Sequence, residues 1–412
     1  MRWLVQVDKT RLEAVRQQLG GLGLPVVSQQ FNFITVEIPD PMVERVRALP
    51  GVVAMTPEKT YKTLPVLPVE AKLAEFHRLF MSNPLTGPAM AFKFALEADA
   101  GKTRVPTSES RKMVGADVAE GEGISGKGIK VAVLDTGTSY DLLFQGAYAG
   151  GRSAVEGQLI PYDEVGHGTH VQSTISGKPF QSIHGLLKGV AVDAEVIAIK
   201  CLGYGLGMGS TSAILRGMAD AVEWGADVVS MSLGGSEEAP GNPYDVIISG
   251  LSKEGMIFCI AAGNSGPDPE TIGTPGSCEA ALTVGAVDIQ GNIADFSSRG
   301  RTKDGRIKPD VVAPGVNILS TSAGYIALMQ FRDGPPALAA ISGTSMATPH
   351  CTGVVALAQQ YSLQKRGRKL TTDEVKEAMT LYGDRAGAKD LSYGWGLLTY
   401  SILKRYVDEK LS

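Results

Sequence analysis

The chain has few cysteines and histidines and no long apolar run. Its four cysteines, Cys201, Cys259, Cys278 and Cys351, have no CxxC spacing, which argues against a zinc site and against a disulfide framework. Because no stretch of about 18 apolar residues occurs, we expect no membrane-spanning helix. The opening residues carry charges throughout and lack an apolar core, so no signal peptide is predicted.

Charge and composition limit the classes of partner. The formal net charge is -4, and the only dense basic cluster is KRGRK at Lys365–Lys369, beside a predicted helix end. Such a short run is typical of a solvated surface, so we expect no nucleic-acid partner. With 412 residues, 43% of them hydrophobic, the chain can bury a large core and form more than one domain.

Residues 1–64 have the pattern of a small α+β domain. RWLVQVD, VVSQQF, FITVEIP and VVAMTPE predict strands, and KTRLEAVRQQLGGLG and PMVERVRAL predict helices. The resulting βαββαβ order is the ferredoxin-like arrangement. Since a domain of this size is marginally stable alone, we expect it to rest on a partner surface.

The rest of the chain divides at about residue 124. Residues 65–123 have the pattern of an insert or linker with one or two helices, of which VEAKLAEFHRLFMS is amphipathic. In residues 124–412, apolar strands such as IKVAVLD, VIAIKCL, ADVVSMSL, MIFCIAAG and ALTVGAV alternate with helical stretches such as TSAILRGMADAVEWG. This alternation predicts a doubly wound, mostly parallel α/β sheet, whose ligands bind beyond the carboxyl ends of the strands.

An acid ends an otherwise apolar predicted strand in VAVLDTGT. A buried carboxylate is unfavourable unless it is paired, so Asp135 is predicted to hold a positive or hydrogen-bonding group. The alternative is a structural role, in which Asp135 forms a turn or a helix cap through Thr136 and Gly137.

Two of the five histidines lie close together in DEVGHGTHVQSTISG. His167 stands between two glycines at the start of a predicted helix, whereas His170 is expected to pack inward. A metal site is disfavoured because no third ligand of suitable spacing follows. A lone histidine is usually structural, but the flanking glycines clear space around His167.

A serine stands where a tight loop enters a predicted buried helix, in ISGTSMATPH. The first turn of a helix has backbone N–H groups without intrahelical acceptors, and they surround the hydroxyl of Ser345. Pro349 falls early enough in the helix to be tolerated. Taken alone, Ser345 is equally well explained as a helix cap.

Considered together, these residues indicate catalysis. Asp135, His167 and Ser345 follow the chain order Asp, His, Ser, one of the orders known for serine-nucleophile triads. An alcohol is a weak nucleophile at neutral pH, an imidazole can take its proton, and a carboxylate fixes the tautomer and stabilises the imidazolium.

The motifs also carry a family resemblance. VAVLDTG, GHGTHV, GVAVDAEVIAIKCL, MSLGG, AAGNSG and SGTSMATPH resemble, in order, the signature blocks of the subtilisin-like serine peptidases, or subtilases, over Gly128–Leu398. The resemblance implies that Ser345 is the nucleophile, His167 the base and Asp135 the orienting acid. It also implies that Asn264 donates its side-chain amide to the oxyanion, and that catalysis needs no cofactor.

Further residues enter through the same resemblance. An edge segment would bind an extended substrate peptide mainly through main-chain hydrogen bonds. The first side-chain pocket would be lined by small residues, which leaves room for a large apolar side chain. The edge segment is Ser232, Leu233, Gly234 and Gly235, and the pocket residues are Ala261, Ala262, Gly263 and Gly273.

The N-terminal unit is similar to the inhibitory propeptide of secreted subtilases. Its tail, TPEKTYKTL, would then lie in the active-site cleft, with self-cleavage near Leu64. Residues 1–64 hold 8 Lys and Arg against 6 Asp and Glu, which is +2 and leaves -6 for the remainder of the -4 total. This asymmetry favours docking only weakly.

The sequence departs from the familiar pattern in several places. Residues 65 to about 103 precede the expected start of the catalytic domain and could be a second prosegment, a lid or a mature extension. The loop SGKPFQSIHGLLKG replaces the Asn-rich calcium loop of many relatives and supplies few oxygen ligands, so structural calcium is doubtful, with Asp141 the one acid to consider. A folded propeptide slightly favours a secreted enzyme whose signal peptide lies outside this sequence; a cytoplasmic location is the alternative.

The leading hypothesis is a self-processing zymogen of a serine endopeptidase that acts on proteins or peptides through an acyl-enzyme. The alternative is a non-catalytic binding protein that keeps the fold. An esterase of the α/β-hydrolase type is disfavoured, because GTSMA lacks the G-x-S-x-G pattern and the acid precedes the histidine.

Overall fold

The computed structural model describes residues 1–63, 104–139, 148–203, 207–324, 326 and 338–411. The predicted helix in VEAKLAEFHRLFMS, Leu64 and Asp141 lie outside these ranges. Across the described ranges, no helix has the length and apolar character needed to span a membrane. All four cysteines are buried and unpaired, as the sequence indicated.

The N-terminal unit has the predicted βαββαβ order. Its elements are β1 (Arg2–Val7), α1 (Leu12–Gly21), β2 (Val26–Gln30), β3 (Phe33–Glu37), α2 (Val43–Arg47) and β4 (Val52–Pro57). The four strands form an antiparallel sheet in the order β2-β3-β1-β4, the ferredoxin-like arrangement. Apolar side chains of both helices and the sheet share one core, which includes Val5, Val15, Ile34 and Val46.

The remaining strands and helices build the α/β part of the molecule. The strands are β5 (Thr60–Thr63), β6 (Val105–Pro106), β7 (Lys130–Asp135), β8 (Tyr148–Ser153), β9 (Phe180–Ser182), β10 (Gly185–Leu187), β11 (Glu195–Lys200), β12 (Met208–Ser210), β13 (Val228–Met231), β14 (Leu233–Gly234), β15 (Ile257–Ala261), β16 (Leu282–Val287), β17 (Gly300–Arg301), β18 (Ile307–Lys308), β19 (Val311–Pro314), β20 (Ile318–Thr321) and β21 (Leu338–Ile341). The helices are α3 (Thr107–Met113), α4 (Ala116–Gly121), α5 (His167–Ser176), α6 (Thr211–Glu223), α7 (Pro243–Lys253), α8 (Thr344–Arg366), α9 (Thr372–Tyr382) and α10 (Tyr400–Glu409).

Seven strands form a parallel sheet in the order β19-β16-β15-β13-β7-β11-β8. In its centre, Ala132 of β7 pairs with Ile197 of β11 on one side and Val229 of β13 on the other. The strands are apolar on both faces because helices cover both sides of such a sheet. The predicted doubly wound α/β fold is confirmed.

Helix α8 passes through the middle of this core. It packs against α5 and against the sheet strands β13, β15, β16 and β19. Nearly every residue of its first five turns is buried, which explains the continuous apolar run in GVVALA. The helix ends at Gly367, whose left-handed φ of 70° suits a glycine.

The stretch from β6 to α4 packs on the same core. Val105 of β6 and Ala116 of α4 belong to the main apolar cluster, and β6 pairs in parallel with β20. The buried Arg111 donates to the carbonyl oxygens of Gly189 at 3.0 Å and Ala116 at 3.3 Å. Its guanidinium also pairs with Glu120 at 3.1 Å.

Strand β5 joins the N-terminal unit to the α/β part. It lies antiparallel between β12 and β14 in a three-stranded sheet. Tyr61 is opposite Gly209 of β12, and Thr63 is opposite Leu233 of β14. The tail of the N-terminal unit therefore runs along the predicted substrate-binding segment as an extended peptide.

Candidate active site

The carboxylate of Asp135 and the imidazole of His167 are in contact. Asp135 is the last residue of β7 and His167 the first of α5, and both side chains are fully buried. Nδ1 of His167 lies 2.8 Å from Oδ1 of Asp135. An ionised carboxylate only accepts hydrogen bonds, so Nδ1 carries the proton and Nε2 of the neutral ring is an acceptor.

Only glycine fits on either side of His167, because neighbouring backbone carbonyl groups approach both positions closely. A Cβ on Gly166, whose φ is 99°, would come within 2.0 Å of the carbonyl oxygen of Ala323. A Cβ on Gly168 would come within 2.4 Å of the carbonyl oxygen of Gly137. The predicted role of these glycines is thus explained by close backbone approach.

Asp163 holds the loop that precedes His167, a role that no motif of the sequence indicates. Its Oδ1 accepts the backbone N–H groups of Val165 at 3.1 Å and Gly166 at 2.7 Å, and its Oδ2 accepts the N–H of Thr169 at 2.8 Å. The hydroxyl of Thr136, next to Asp135, donates to the same carboxylate at 2.8 Å. Asp163 therefore connects the end of β7 to the start of α5.

A buried lysine supports the same corner from the neighbouring strand. Lys200 ends β11, and its Nζ donates to the carbonyl oxygen of Thr136 at 2.6 Å and to Glu164 at 2.8 Å. This ion pair, also missed from the sequence, orients the chain directly after Asp135. The sequence signal was a single charged residue at the end of the apolar run VIAIK.

Ser345 is the second residue of α8, and its hydroxyl is directed at the edge segment. Oγ donates to the carbonyl oxygen of Ser232 at 3.1 Å, while the Ser232 hydroxyl donates to the Ser345 carbonyl at 2.9 Å. Nε2 of His167 has no hydrogen-bond partner among the residues described. The two residues begin helices that pack against each other, α5 at His167 and α8 at Thr344.

The amide of Asn264 has a fixed orientation beside the start of α8. Its Oδ1 accepts both the backbone N–H and the hydroxyl of Thr344, each at 2.9 Å. These two bonds turn the Nδ2 end the other way, over Gly343, where a Cβ would come within 3.0 Å of it. The donor end of the side chain therefore lies next to the residues that precede Ser345.

Two other buried histidines are held neutral. Burial lowers the pKa of His170 to about 3, and its Nε2 donates to the carbonyl oxygen of Ile318 at 2.9 Å. Burial also lowers the pKa of His350 to about 4; its Nδ1 donates to the carbonyl oxygen of Met346 at 2.8 Å, and its Nε2 accepts from Ser110 at 2.7 Å. Both rings have structural hydrogen bonds, as expected for His170.

The predicted substrate-binding residues form two connected stretches. Gly235, after β14, donates its N–H to the carbonyl oxygen of Thr274 at 2.9 Å, and Gly273 donates to that of Ala262 at 3.0 Å. Ala261 ends β15, and Ala262 and Gly263 follow it as buried residues next to Asn264. Their part in substrate binding stays a prediction.

The described residues contain no group of three or more histidine, cysteine or acidic side chains arranged to hold a metal ion. Asp141, the one acid considered for calcium, lies outside them. The calcium hypothesis therefore stays open at that loop.

A buried carboxylate–imidazole pair and a buried serine at a helix start, on a doubly wound sheet, are the components of a serine hydrolase. The Subtilase family profile matches residues 126–396, so the chain belongs to the subtilase family and is a serine endopeptidase that needs no cofactor for catalysis.

Several curated proteins are similar to this chain in sequence over much of their length. Serine protease AprX of Bacillus subtilis is 36% identical over 302 residues, which cover 68% of this chain and 66% of that protein. An alkaline protease of Alkalihalobacillus alcalophilus is 36% identical over 334 residues, 78% of each chain. Subtilisin Savinase of Lederbergia lenta is 39% identical over 286 residues, which cover 68% of this chain and 95% of that protein.

Proposed function

We propose that the protein is a self-inhibited zymogen in which Ser345 is the nucleophile, His167 the general base and Asp135 the orienting acid. The observation that carries the proposal is strand β5, a segment of the same chain that lies along β14 as a substrate peptide would. Its Thr63 is opposite Leu233, next to Ser232, whose carbonyl accepts the hydroxyl of Ser345.

Hydrolysis begins when the Ser345 side chain turns from the Ser232 carbonyl toward Nε2 of His167. This nitrogen accepts the hydroxyl proton as Oγ attacks the peptide carbonyl. The imidazolium then gives the proton to the leaving amine, the C–N bond breaks, and an acyl-enzyme remains. Water, deprotonated by the same imidazole, hydrolyses the ester and restores Ser345, while Asp135 keeps the tautomer and stabilises the imidazolium.

The oxyanion is stabilised by the side-chain amide of Asn264 and the backbone N–H of Ser345. The support is that Thr344 engages Oδ1 of Asn264, while Nδ2 lies beside Gly343, two residues before Ser345. The N–H of Ser345 belongs to the first helical turn, where no intrahelical acceptor exists. Each such donor is worth about 10²–10³ in kcat, a magnitude known from subtilisin.

The N-terminal unit acts as an intramolecular inhibitor that the enzyme itself removes. Thr63 is the last described residue of β5, and cleavage is proposed near Leu64, which follows it in sequence. Ser232, β14 and Gly235 bind the main chain of the tail and later of substrates, with Ala261, Ala262, Gly263 and Gly273 lining the first pocket. The Leu64–Pro65 bond is a tertiary amide, so the cleaved bond itself has to be identified by sequencing.

Incubation of the purified chain tests this proposal. The parent should yield a fragment whose new N-terminus lies near residue 65, and Ser345→Ala should stay full length. N-terminal sequencing and labelling of Ser345 by a fluorophosphonate probe report the two properties separately. Equal processing of parent and Ser345→Ala would contradict self-cleavage by this site.

A non-catalytic binding protein is the second candidate. The observation in its favour is that the hydroxyl of Ser345 is bonded to Ser232 and not to His167. If the hydroxyl keeps this position, the incubated protein should bind peptides yet take up no fluorophosphonate. Labelling of Ser345 would exclude this candidate.

A further inference from the structure

We propose that Glu238 is a specificity-determining residue that selects tyrosine at the substrate position occupied by Tyr61, with a basic residue two positions before it. The proposal rests on the proposed function, because it treats the tail as a substrate in place. The expected substrate pattern is a basic residue, then any residue, then tyrosine. The carboxylate of Glu238 binds both the basic group and the tyrosine hydroxyl.

The side chain of Tyr61 fills a pocket of the α/β part. Only 2% of its surface is exposed. Its ring meets that of Tyr244 edge to face, with centroids 5.2 Å apart and planes at 77°. On the other side it lies against Gly235, where a Cβ would come within 3.1 Å of the ring. An aromatic side chain is therefore the shape that the pocket holds.

A carboxylate stands at the end of this pocket. Glu238 is buried, and its Oε1 accepts the hydroxyl of Tyr61. Burial, and then the bond to Glu238, raise the pKa of the Tyr61 hydroxyl, so it stays a donor. The backbone N–H of Glu238 donates to Thr274 at 2.8 Å, which fixes the carboxylate in place.

The second oxygen of Glu238 faces a cation of the same tail. Oε2 lies 3.2 Å from Nζ of Lys59, and the Lys59 side chain is about half exposed. One carboxylate thus receives a phenol hydroxyl and an ammonium group from residues i and i-2. Lys59 directly precedes β5, and its carbonyl oxygen accepts the N–H of Thr211 at 2.9 Å. A peptide that keeps this main-chain register therefore presents the same pair of side chains.

The register shows that these contacts belong to a peptide-binding site. Tyr61 and Lys62 pair with Gly209 and Met208 of β12, and Lys62 pairs with Gly234 of β14. Main-chain pairing of this kind is independent of sequence, so side-chain pockets set the preference. A peptide with phenylalanine in the pocket leaves Oε1 of the buried carboxylate without its donor, which costs about tenfold to hundredfold in kcat/KM.

The first experiment measures kcat/KM for a set of chromogenic peptides. The enzyme is the full-length chain after incubation to allow self-processing, and its active sites are counted by fluorophosphonate labelling. The parent peptide has the sequence of residues 58–64 followed by p-nitroaniline, and its variants carry Tyr61→Phe or Lys59→Gln. We expect kcat/KM to fall about tenfold or more for the phenylalanine peptide and about threefold for the glutamine peptide, whose charge is partly solvated.

Substitutions in the pocket should remove these preferences selectively. Glu238→Leu should bring the two aromatic peptides within about twofold of each other, and Glu238→Gln should abolish the lysine preference while keeping part of the tyrosine preference. The matched control is Glu237→Gln, a neighbouring carboxylate that accepts the backbone N–H of Lys303 instead. Equal kcat/KM for the tyrosine and phenylalanine peptides on the parent would overturn the proposal.

The second experiment needs no peptidase activity and so separates this inference from the proposed function. In the Ser345→Ala chain, trypsin cleaves after Lys62 only when the tail leaves its strand pairing, at a rate that follows the open fraction. Tyr61→Phe and Glu238→Leu should each raise this rate about tenfold, and Glu237→Gln should not. Rates equal to that of the Ser345→Ala parent would overturn recognition of Tyr61 by Glu238, whether or not the enzyme is active.

Discussion

Asp310 and Asp135 are both buried and both paired with a basic side chain, but they differ in how many of their carboxylate oxygens accept hydrogen bonds. Asp310 is satisfied on both oxygens: Oδ2 accepts Lys308 at 2.6 Å and the N–H of Thr283 at 2.9 Å, and Oδ1 accepts Lys389 at 2.7 Å. Asp135 has one oxygen engaged, while its Oδ2 and Nε2 of its partner His167 have no partner among the residues described.

The difference fits a structural role for Asp310 and the proposed catalytic role for Asp135. Closed networks of buried polar groups stabilise and specify a fold, whereas an unpaired buried atom is unfavourable and needs a reason. In the Asp135 corner the reason is the proposed proton transfer, which requires an acceptor that is vacant until Ser345 turns. Asp163 lies beside the site but belongs to the structural kind, because both of its carboxylate oxygens accept hydrogen bonds. The donors are Thr136, Val165, Gly166 and Thr169.

His167→Ala should give the largest effect and tests whether the Asp135–His167 pair is catalytic. We expect kcat to fall by about 10⁶-fold, the size known for loss of the base in subtilisin, because the nucleophile loses its proton acceptor. Stability should also fall, because the buried carboxylate of Asp135 loses its imidazole partner and truncation of the buried ring leaves a cavity. A kcat within tenfold of the parent value would contradict a reactive role for His167.

Asn264→Ala should give the next largest effect. Loss of the proposed oxyanion donor should reduce kcat by about 10²–10³-fold with KM nearly unchanged, because such a donor acts mainly in the transition state. Steady-state kinetics on a chromogenic peptide check this split. An increase in KM with kcat unchanged would assign Asn264 to ground-state binding instead.

Asp310→Asn tests the closed network. Removing one partner leaves Lys308 buried without its counter-charge, so the free energy of unfolding should fall by about 3–5 kcal/mol. Activity per labelled active site should stay the same at a temperature where the variant is folded. Denaturant unfolding in the Ser345→Ala background measures stability without self-digestion, and Lys389→Met serves as a milder control at the same network.

As the pH falls, the free energy of unfolding should decrease first because of the buried histidines and only at lower pH because of Asp310. Folded pKa values of about 3 for His170 and about 4 for His350 lie below the ordinary value, so the unfolded state binds more protons and stability falls as pH drops below about 6.5. Burial alone would raise the pKa of Asp310, but Lys308 holds it well below its ordinary range, so its contribution is lost below about pH 4.

Unfolding free energies between pH 7 and 3 check this order. His350→Gln should flatten the upper part of the curve, since it removes a group that the folded state keeps unprotonated. Asp310→Asn should flatten only the part below about pH 4. A curve whose upper part is unchanged in His350→Gln would contradict the assignment.

The sequence predicted the elements with a regular apolar pattern. It did not predict contacts between residues that are distant in the chain. Five central strands are continuous apolar runs and were found, whereas the edge strand β8 is glycine-rich and β19 is short and ends in proline. Asp163 lies in a polar stretch and looks like any surface acid. Tyr61 and Glu238 are 177 residues apart, and no periodicity links them.

The smallest change in unfolding free energy is expected at a surface ion pair with the same sequence spacing as Lys308 and Asp310. Asp304 and Arg306 are two residues apart, as are Lys308 and Asp310, and they pair at 2.6 Å with about a third of each side chain exposed. The bond to Arg306 lowers the pKa of Asp304, but water screens the pair, so Asp304→Asn should cost only about 0.2–1 kcal/mol of unfolding free energy. That cost should shrink further in 1 M salt, while the cost of Asp310→Asn should persist, because burial protects only the second pair from screening.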